Sequence, residues 1–363
     1  MEALDHKCLS CDANLKFNPS SQTWICEYCG NEYTLKDLSN NSSNKNKLKY
    51  DEKDIESNST IEEIPESKYT TDEFDCYHCK NCGAKLVTDK TTTATFCVYC
   101  GNTSIIKERL ENAFEPHKII PFKKTKQDAI STFMQYKKNK WFAPKDFHDN
   151  NNIKKITGVY IPFWTYDCTI DGDLAITGER RNSWRSGDYI VTKIDTYNIK
   201  RQGSAQFNKV PVDGSKKFAD DVMDSIEPFN YDELVDFNIS YLSGFLSECY
   251  DVTKEEAFSR ASKRMQNTML SLINSTIQGY QNKRINHSKF DSNISSIKYF
   301  LLPVWMLNIK YKDKIYLFAM NGQTGKMVGD IPVCKTTLIQ KWLIYAAISF
   351  ITSFLILFIL SFF

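Results

Sequence analysis

Eight of the twelve cysteines in this 363-residue sequence form four Cys-x-x-Cys pairs, and paired thiols at this spacing are suited to binding a metal ion. The pairs make up two sets, in which fourteen residues separate the first pair from the second. The two sets are Cys8, Cys11, Cys26, Cys29 and Cys79, Cys82, Cys97, Cys100. The second set repeats the first at an offset of 71, and neighbours such as Tyr28 and Tyr99 also match. This repetition indicates an internal duplication.

The chemistry that four thiols in two short turns can perform is the closed binding of Zn²⁺. Four thiolates occupy the corners of a tetrahedron with Zn–S bonds of about 2.3 Å and leave no position for water. The residue after the second cysteine of each turn must tolerate positive φ, and Gly30, Gly83 and Gly101 stand at three of these positions, with Asp12 at the fourth. The sequence therefore predicts two structural zinc ribbons that hold two Zn²⁺ ions per chain.

Disulfides and redox-active dithiols are the alternatives to zinc. Neither explains why the fourteen-residue gap occurs twice. A disulfide framework also requires an oxidising compartment, whereas the chain opens MEALDHKCLSCD without an apolar secretory signal. Cys76 and His78 flank the second set, but they have no counterpart in the first and are not predicted as ligands.

The C-terminal end carries a second informative pattern. Trp342 to Phe363 is a run of 22 residues without a charge. As a helix this run would span roughly 33 Å, which is enough for the hydrocarbon core of a bilayer. Lys335 and Lys341 precede it, and the positive-inside tendency then places the bulk of the chain in the cytoplasm. We expect a single-pass cell-membrane protein with a transmembrane helix over 338–363; a buried helix of a soluble protein is the alternative.

The elements that must position the thiols follow from the rest of the sequence. The predicted fold class is α+β, with zinc ribbon 1 at 1–38, a flexible linker at 39–75, zinc ribbon 2 at 76–110, a mixed α+β cytoplasmic domain at 111–335 and the membrane helix. The linker prediction rests on a composition rich in Asn, Ser, Lys and Glu with few aliphatic residues.

Within the mixed domain, one helix has a clear start signal. Thr253 and Glu256 have the spacing of a capping box. The residues that follow place an apolar stripe on one face of a long helix: Ala257, Phe258, Ala261, Met265, Met269, Leu272 and Ile273. This stripe predicts that the helix packs against a sheet.

Strand patterns lie on both sides of that helix. Alternation over 158–177 predicts a hairpin that turns at Asp171–Gly172, and 189–207 reads as further strand. Pro162 and Pro303 lie in similar apolar segments, and because proline cannot donate to a ladder, both segments are predicted to be edge strands.

No pattern in the sequence predicts an enzyme. The five histidines form no His-Glu-x-x-His motif, and no Gly-x-Ser-x-Gly elbow is present. The segment from Gly322 to Met327 departs from a phosphate loop in its glycine spacing and lacks the Ser or Thr after the lysine. Sites closed by four thiolates also leave no position for a substrate on the metal. We predict that the protein is not an enzyme.

Charge bears on whether the ribbons bind nucleic acid. Residues 1–38 hold three lysines against six acidic residues, a balance of −3, whereas 76–110 has a balance of +3. An acidic ribbon is poorly suited to phosphate contacts. Residues 118–155 have a balance of +7, which fits either a surface facing anionic lipids or a solvated helix face. A membrane-associated, replication-related nucleic-acid-binding protein without helicase activity stays as the alternative function.

Four segments carry a resemblance to a known family. They are GVYIPFW (158–164), PVDGSKK (211–217), DSIEPFNYDEL (224–234) and FLLPVW (300–305). With the paired ribbons and the apolar tail, almost the whole chain resembles the membrane-anchored TFIIB-type zinc-ribbon proteins of Gram-positive bacteria. The helicase-like label sometimes given to such proteins has no motor motif to support it in this sequence.

That resemblance implies a role and partners. Some similar proteins are encoded with phage-shock-protein-A-like and SPFH-type membrane proteins and help to bring the former to the membrane during envelope stress. The eight thiols match the family pattern position by position. We therefore expect a tail-anchored scaffold or adaptor that contacts membrane lipids through its C-terminal helix and recruits cytoplasmic or membrane proteins through its ribbons.

Overall fold

The computed structural model describes residues 7–11, 13–40, 74–89, 96–103, 105–108, 116–140, 142–144, 147, 155–217, 220–312 and 314–360. Most of the predicted linker at 39–75, and the predicted boundary between ribbon 2 and the mixed domain at 110, lie outside these residues. Over the described residues the chain is mixed α/β and mostly sheet. The coarse fold class is therefore as predicted.

Fourteen strands and five α-helices are described. The strands are β1 (Leu15–Asn18), β2 (Thr23–Cys26), β3 (Glu32–Tyr33), β4 (Phe74–Cys79), β5 (Lys85–Asp89), β6 (Ile105–Glu108), β7 (Lys118–Ile119), β8 (Thr157–Ser186), β9 (Tyr189–Asp213), β10 (Val235–Asp236), β11 (Leu246–Glu248), β12 (Asn282–Tyr311), β13 (Lys314–Asn321) and β14 (Met327–Gly329). The helices are α1 (Leu35–Asn40), α2 (Lys126–Lys138), α3 (Asp220–Ile226), α4 (Lys254–Ser275) and α5 (Lys335–Leu360), and 3₁₀ turns occupy Tyr231–Glu233 and Ile239–Leu242.

The strands form two sheets. Strands β1 to β3, around the first cysteine set, form a small sheet, whereas β4 to β6, around the second set, belong to an 11-stranded sheet with the large domain. Strand β11 connects β4–β6 to the long strands of the large domain, because it pairs antiparallel with β5 and parallel with β8. The second cysteine set is therefore continuous with the main sheet through backbone hydrogen bonds.

Three very long strands dominate the main sheet. Strand β8 has 30 residues, β9 has 25 and β12 has 30, and β8 lies between the other two. At about 3.3 Å per residue, β8 has a contour length of roughly 100 Å. Beyond Glu179, where β12 begins to pair, β8 and β9 continue as a two-stranded tip that turns at Gly187.

The hairpin turn predicted at Asp171–Gly172 is wrong, because β8 passes through both residues without a break. Gly172 serves packing instead. A Cβ atom there would lie 3.0 Å from the Ile273 Cδ1 atom and 3.0 Å from the Phe290 Cε1 atom. The missing side chain thus allows helix α4 to approach the sheet closely.

The prediction of edge strands from Pro162 and Pro303 is also wrong. Both prolines lie in central strands, but each stands where its strand changes partner on one side. Strand β8 pairs with β11 up to Tyr160 and with β9 from Phe163 onward. The Pro162 carbonyl accepts from the Gly214 N–H at 2.7 Å, so its backbone faces this gap. A residue in such a gap loses no ladder bond by lacking an N–H.

The same arrangement occurs in β12. Its outer side pairs with β7 at Phe300 and Leu301 and with β13 from Val304 onward. Pro303 lies between the two partners, and its carbonyl accepts from the Gly322 N–H at 2.8 Å. The partner change therefore accounts for both prolines without an edge strand.

Helix α4 begins at the predicted capping box. The Thr253 side chain accepts from the Glu256 N–H, and the Glu256 side chain accepts in return from the Thr253 N–H. Met269 and Ile273 are buried against the long strands. Leu272, predicted as part of the stripe, is 51% exposed because it lies on the flank of the helix beside that contact.

The first cysteine set packs against the large domain. The Trp24 Nε1–H donates to the Ser240 carbonyl at 2.8 Å, and the Phe17 N–H donates to the Ser243 carbonyl at 3.2 Å. The Phe17 and Trp24 rings contact Tyr241 with centroid separations of 5.3 and 5.2 Å. Buried aromatic contacts of this kind place the β1–β2 hairpin at a fixed position on the domain.

Helix α5 is the C-terminal element. Within it, Leu338–Ile356 is long and apolar enough to cross a membrane, and none of this stretch is buried against the rest of the protein. Residues 361–363 of the predicted membrane helix lie outside the described residues. The chain therefore has one candidate membrane span among the residues that the structure describes.

Candidate metal centres

The structure brings together the four thiols of the first set. The Cys8 and Cys29 Sγ atoms lie 3.4 Å apart, and the Cys11 and Cys26 Sγ atoms lie 3.5 Å apart. All four Sγ atoms lie within 4.8 Å of one another. Cys26 ends strand β2, and the other three lie in the turns on either side of the small sheet.

The second set has the same arrangement. The Cys79 and Cys100 Sγ atoms are 3.6 Å apart, and the Cys82 and Cys97 Sγ atoms are 3.5 Å apart. An ion at about 2.3 Å from each of four sulfurs requires sulfur–sulfur separations of roughly 3.8 Å, which is close to these distances. Each group can therefore hold one metal ion, and the eight residues are those predicted from the spacing.

Backbone geometry forms the turns under the thiols. Gly30, Gly83 and Gly101 have φ of +75°, +71° and +71°, as predicted from their positions. Their N–H groups donate to the carbonyls of Cys26, Cys79 and Cys97 at 2.8, 2.9 and 2.8 Å. Each bond closes a tight turn that returns the chain toward the sulfurs. Asp12, at the fourth position, lies outside the described residues.

The thiols within a group do not titrate alike. Burial raises the pKa of the Cys8 thiol, but hydrogen bonds from the Tyr33 hydroxyl at 3.2 Å and the Ser10 N–H at 3.4 Å lower it to about 6 overall. Burial dominates at Cys82 and Cys97 and raises the pKa of both thiols. At Cys100 burial is outweighed by hydrogen bonds from the Asn81 side chain and the Asn102 backbone, so its pKa falls to about 7. In the first group the pKa of Cys26 is also lowered, mainly by a hydrogen bond from the Cys29 backbone, so each group contains at least one thiol with a lowered pKa.

The duplicated tyrosines have opposite environments. Tyr28 in the first group is 85% exposed, whereas Tyr99 in the second is buried. The Tyr99 hydroxyl donates to the Glu248 carboxylate, which also accepts from the Ser215 hydroxyl at 2.9 Å. The second group is therefore held against β11 by a buried polar network.

A lysine adds a second contact between the second group and the domain. The Lys217 Nζ donates to the Cys82 carbonyl at 3.0 Å and lies 3.8 Å from the Asp251 carboxylate. Sequence reasoning missed Glu248 and Lys217. The available signal was a glutamate inside the apolar segment GFLSECY, because a carboxyl group buried in a strand needs partners.

Burial also controls the charge of Glu248. It raises the pKa of this carboxyl group to about 8, although hydrogen bonds from Tyr99 and Ser215 oppose the shift. The same burial, together with the nearby Glu248 charge, raises the pKa of Tyr99 well above its ordinary value. At neutral pH the network therefore contains a largely protonated carboxyl group.

A protein of Bacillus subtilis (strain 168) described as "Uncharacterized protein YdjG" is 37% identical to this chain over 232 residues. The match covers 64% of this chain and 68% of the relative. The chain belongs to the YdjG family. A match of this length cannot be confined to the two cysteine groups and the C-terminal helix, so the YdjG relationship includes part of the mixed domain. No protein-family model and no solved structure matches the chain.

The Glu248 network makes stability depend on pH. A carboxyl group whose pKa is raised in the folded state stabilises the fold fully below its unfolded pKa, and this contribution is lost as pH rises through the folded pKa of about 8. We predict that the melting temperature of the full chain in detergent falls, relative to that of Glu248→Gln, between about pH 5 and pH 8.5. Proton release from the cysteine thiols affects both proteins and cancels in the difference. A difference that does not change with pH would contradict the prediction.

Proposed function

We propose that this protein is a tail-anchored membrane scaffold whose zinc-bound cysteine groups recruit protein partners to the inner face of the membrane. The observation that carries the proposal is the presence, in one chain, of two four-thiol groups and a terminal apolar helix with none of its span buried. The four-thiol groups are suited to structural metal binding, and the apolar helix is suited to insertion into lipid.

Zinc is the proposed metal because its preferred coordination matches the donor set. Tetrahedral sites made of four thiolates are typical of structural Zn²⁺, and they leave no open position for a reacting water. The first group, with its short strands, buries few apolar residues of its own. Zn²⁺ would therefore contribute much of the folding free energy of this group.

The metal content of cysteine variants tests this assignment. We expect two zinc ions per wild-type chain by elemental analysis, and one per chain in Cys11→Ser and in Cys82→Ser, because each variant removes a ligand from a single group. Cys334→Ser should keep two, because Cys334 lies outside both groups. Iron in place of zinc, or two ions retained by a ligand variant, would contradict the assignment.

The start of helix α5 supports a position of the domain close to the membrane. The Cys334 N–H donates to the Phe142 carbonyl at 2.9 Å, and the Tyr136 hydroxyl donates to the Gly329 carbonyl at 2.7 Å. These bonds hold the end of helix α2 beside the start of α5. Lysines that anionic headgroups could attract lie in and just after the last turn of α2 and in the first turns of α5: Lys137, Lys138, Lys140, Lys335 and Lys341.

Removal of the tail tests the anchor. Deleting 342–363 should move the protein from carbonate-washed membranes to the soluble fraction, because the part of the chain that the structure describes contains no other candidate span. The truncated protein should still contain two zinc ions, which would show that the domain has folded. Truncated protein that stays in washed membranes would exclude α5 as the anchor.

The first cysteine group has the more suitable surface for a partner. Leu9 and Tyr28, one in each Cys-x-x-Cys turn, are 49% and 85% exposed. The matching residues of the second group are Lys80, which is charged, and Tyr99, which is buried against Glu248. An exposed tyrosine with an apolar neighbour is a common centre of protein interfaces. By resemblance, the partners would be phage-shock-protein-A-like or SPFH-type proteins in an envelope-stress response.

Affinity capture from gently solubilised membranes tests recruitment. We expect full-length protein to retain a specific partner, and Tyr28→Ala to reduce the retained amount at least tenfold because truncation of an interface tyrosine removes its buried contact. Tyr189→Ala is the matched control, since Tyr189 is also highly exposed but lies at the far tip of β8 and β9. Equal retention by Tyr28→Ala and the control would contradict the role of the first group, and capture of nucleic acid instead would favour the alternative function.

A further inference from the structure

Strand β9 has a long edge that no described strand covers. On one side it pairs with β8, and over the residues that the structure describes no strand pairs with its other side. Positions 190–206 pair with β8 without a register shift, and all but three of these residues are exposed. Alternate residues along this segment, here called the β9 edge, therefore turn backbone N–H and C=O groups toward solvent.

Natural sheets protect their edges with short strands, prolines or bulges. The β9 edge has none of these, because it is long, lacks proline and keeps an unbroken register. Strand β12 has a second edge, before it pairs with β7 at Phe300, and there its register shifts between Ile285 and His287 and between Ile294 and Ser296. Such bulges interrupt the pairing pattern of an edge. The β9 edge is therefore the better template for another strand.

The sequence of the β9 edge is complementary to itself. Two identical strands that pair antiparallel are related by a two-fold axis, so one residue lies opposite its own copy and the residues on either side pair symmetrically. With Asn198 on the axis, the whole of 190–206 in one copy pairs with the same segment of the other. Asp195 then lies directly opposite Arg201 of the second copy, and symmetry forms this ion pair twice.

Apolar residues also meet in this register. Val191 lies opposite Ala205 of the second copy, and Tyr197 lies opposite Ile199. Pairs of an aromatic and a β-branched residue stabilise an antiparallel ladder, as do pairs of opposite charge. The side-chain pairs therefore favour a second copy of this chain over an unrelated strand.

Lysines on an edge usually discourage pairing, but here they do not oppose one another. With Asn198 on the axis, Lys193 lies opposite Gly203 of the second copy and Lys200 lies opposite Thr196. Neither lysine meets a cation directly across the new ladder. The positive charges on the β9 edge are thus compatible with this register.

Neighbouring registers lose this match. Moving the axis to Tyr197 sets Lys193 opposite Arg201, where two cations repel. Moving it the other way, to Ile199, separates Asp195 from Arg201 and removes the ion pair. The charges therefore select the register that is centred on Asn198.

The charged groups of the edge contact their own strand in the single chain. The Lys193 Nζ atom lies 3.1 Å from the Asp195 Oδ1 atom, and the Arg201 Nη1 group donates to the Lys200 carbonyl at 2.9 Å. Arg201 thus covers one carbonyl of the edge. Pairing requires Arg201 to turn from this carbonyl toward Asp195 of the second copy, whose N–H groups would then supply donors to the edge.

We propose that the protein forms a two-fold symmetric dimer in which the β9 edges of two copies pair antiparallel around Asn198. The long strands of both copies then form one continuous sheet, and the exposed backbone groups of both edges are satisfied at once. This inference rests on strand register and charge. It does not depend on zinc, on membrane anchoring or on partner binding by the first cysteine group.

Sedimentation and photo-cross-linking of the full chain in detergent test the dimer and its surface. We expect the mass of two chains, and a photoreactive benzoylphenylalanine in place of Asn198 should cross-link to β9 of a second copy, as located by mass spectrometry. The same probe in place of Ile285, which is 48% exposed on the edge of β12, is the matched control and should give no cross-linked dimer. A monomer at every concentration, or a dimer cross-linked through Ile285 or away from β9, would overturn the proposal.

Matched charge variants test the register. Arg201→Glu should raise the dissociation constant of the dimer at least tenfold, because it sets two carboxylates against each other at two places. Lys200→Glu makes the same change of charge at the adjacent residue, opposite Thr196, and should alter the dissociation constant less than twofold. Circular dichroism of both variants confirms that they fold. Equal dissociation constants for the two variants would exclude the register centred on Asn198.

Discussion

The antiparallel pairing of β8 with β12 is the constraint on which the rest of this structure depends. Four strands of the main sheet pair directly with these two: β9 and β11 pair with β8, and β7 and β13 pair with β12. The other strands of that sheet join it through β7, β11 and β13. Through β11 the pairing determines where the second cysteine group lies, and through β13 and β14 the chain reaches helix α5. The placement of one candidate metal centre and of the candidate membrane span therefore derives from a single ladder.

Duplication has produced two groups with the same chemistry and different surroundings. Both hold four thiols within bonding reach of one ion, and both use glycines with positive φ to close their turns. Their matched tyrosines differ in environment, because Tyr99 donates to a buried glutamate whereas Tyr28 faces solvent. The cysteines are equivalent in the two groups, whereas the tyrosine in the second Cys-x-x-Cys turn has a different role in each. In the second group it is part of the core, and in the first group it faces solvent.

The sequence was sufficient for features that depend on local spacing. The eight thiols, the glycines Gly30, Gly83 and Gly101 and the capping box at Thr253 were all predicted, because each is determined within a few residues. The predictions at Gly172 and Pro162 were wrong because the role of each residue depends on distant parts of the chain. Gly172 makes room for a helix about a hundred residues away, and Pro162 lies where strand β8 changes partner. Glu248 was missed for the same reason, since its partners come from two distant segments.

The length of the ladder has a mechanical consequence. Phe147 packs against Tyr311 and Tyr316 at the end of the ladder where helix α5 starts, whereas the β8–β9 tip at Gly187 lies at the other end. If the ladder moved as a rigid body, a rotation of about 5° at its base would displace a tip at most about 100 Å away by at most about 9 Å. A small change of tilt at helix α5 would then move the exposed Trp184, Tyr189 and Ile190 over a distance comparable to the width of a helix.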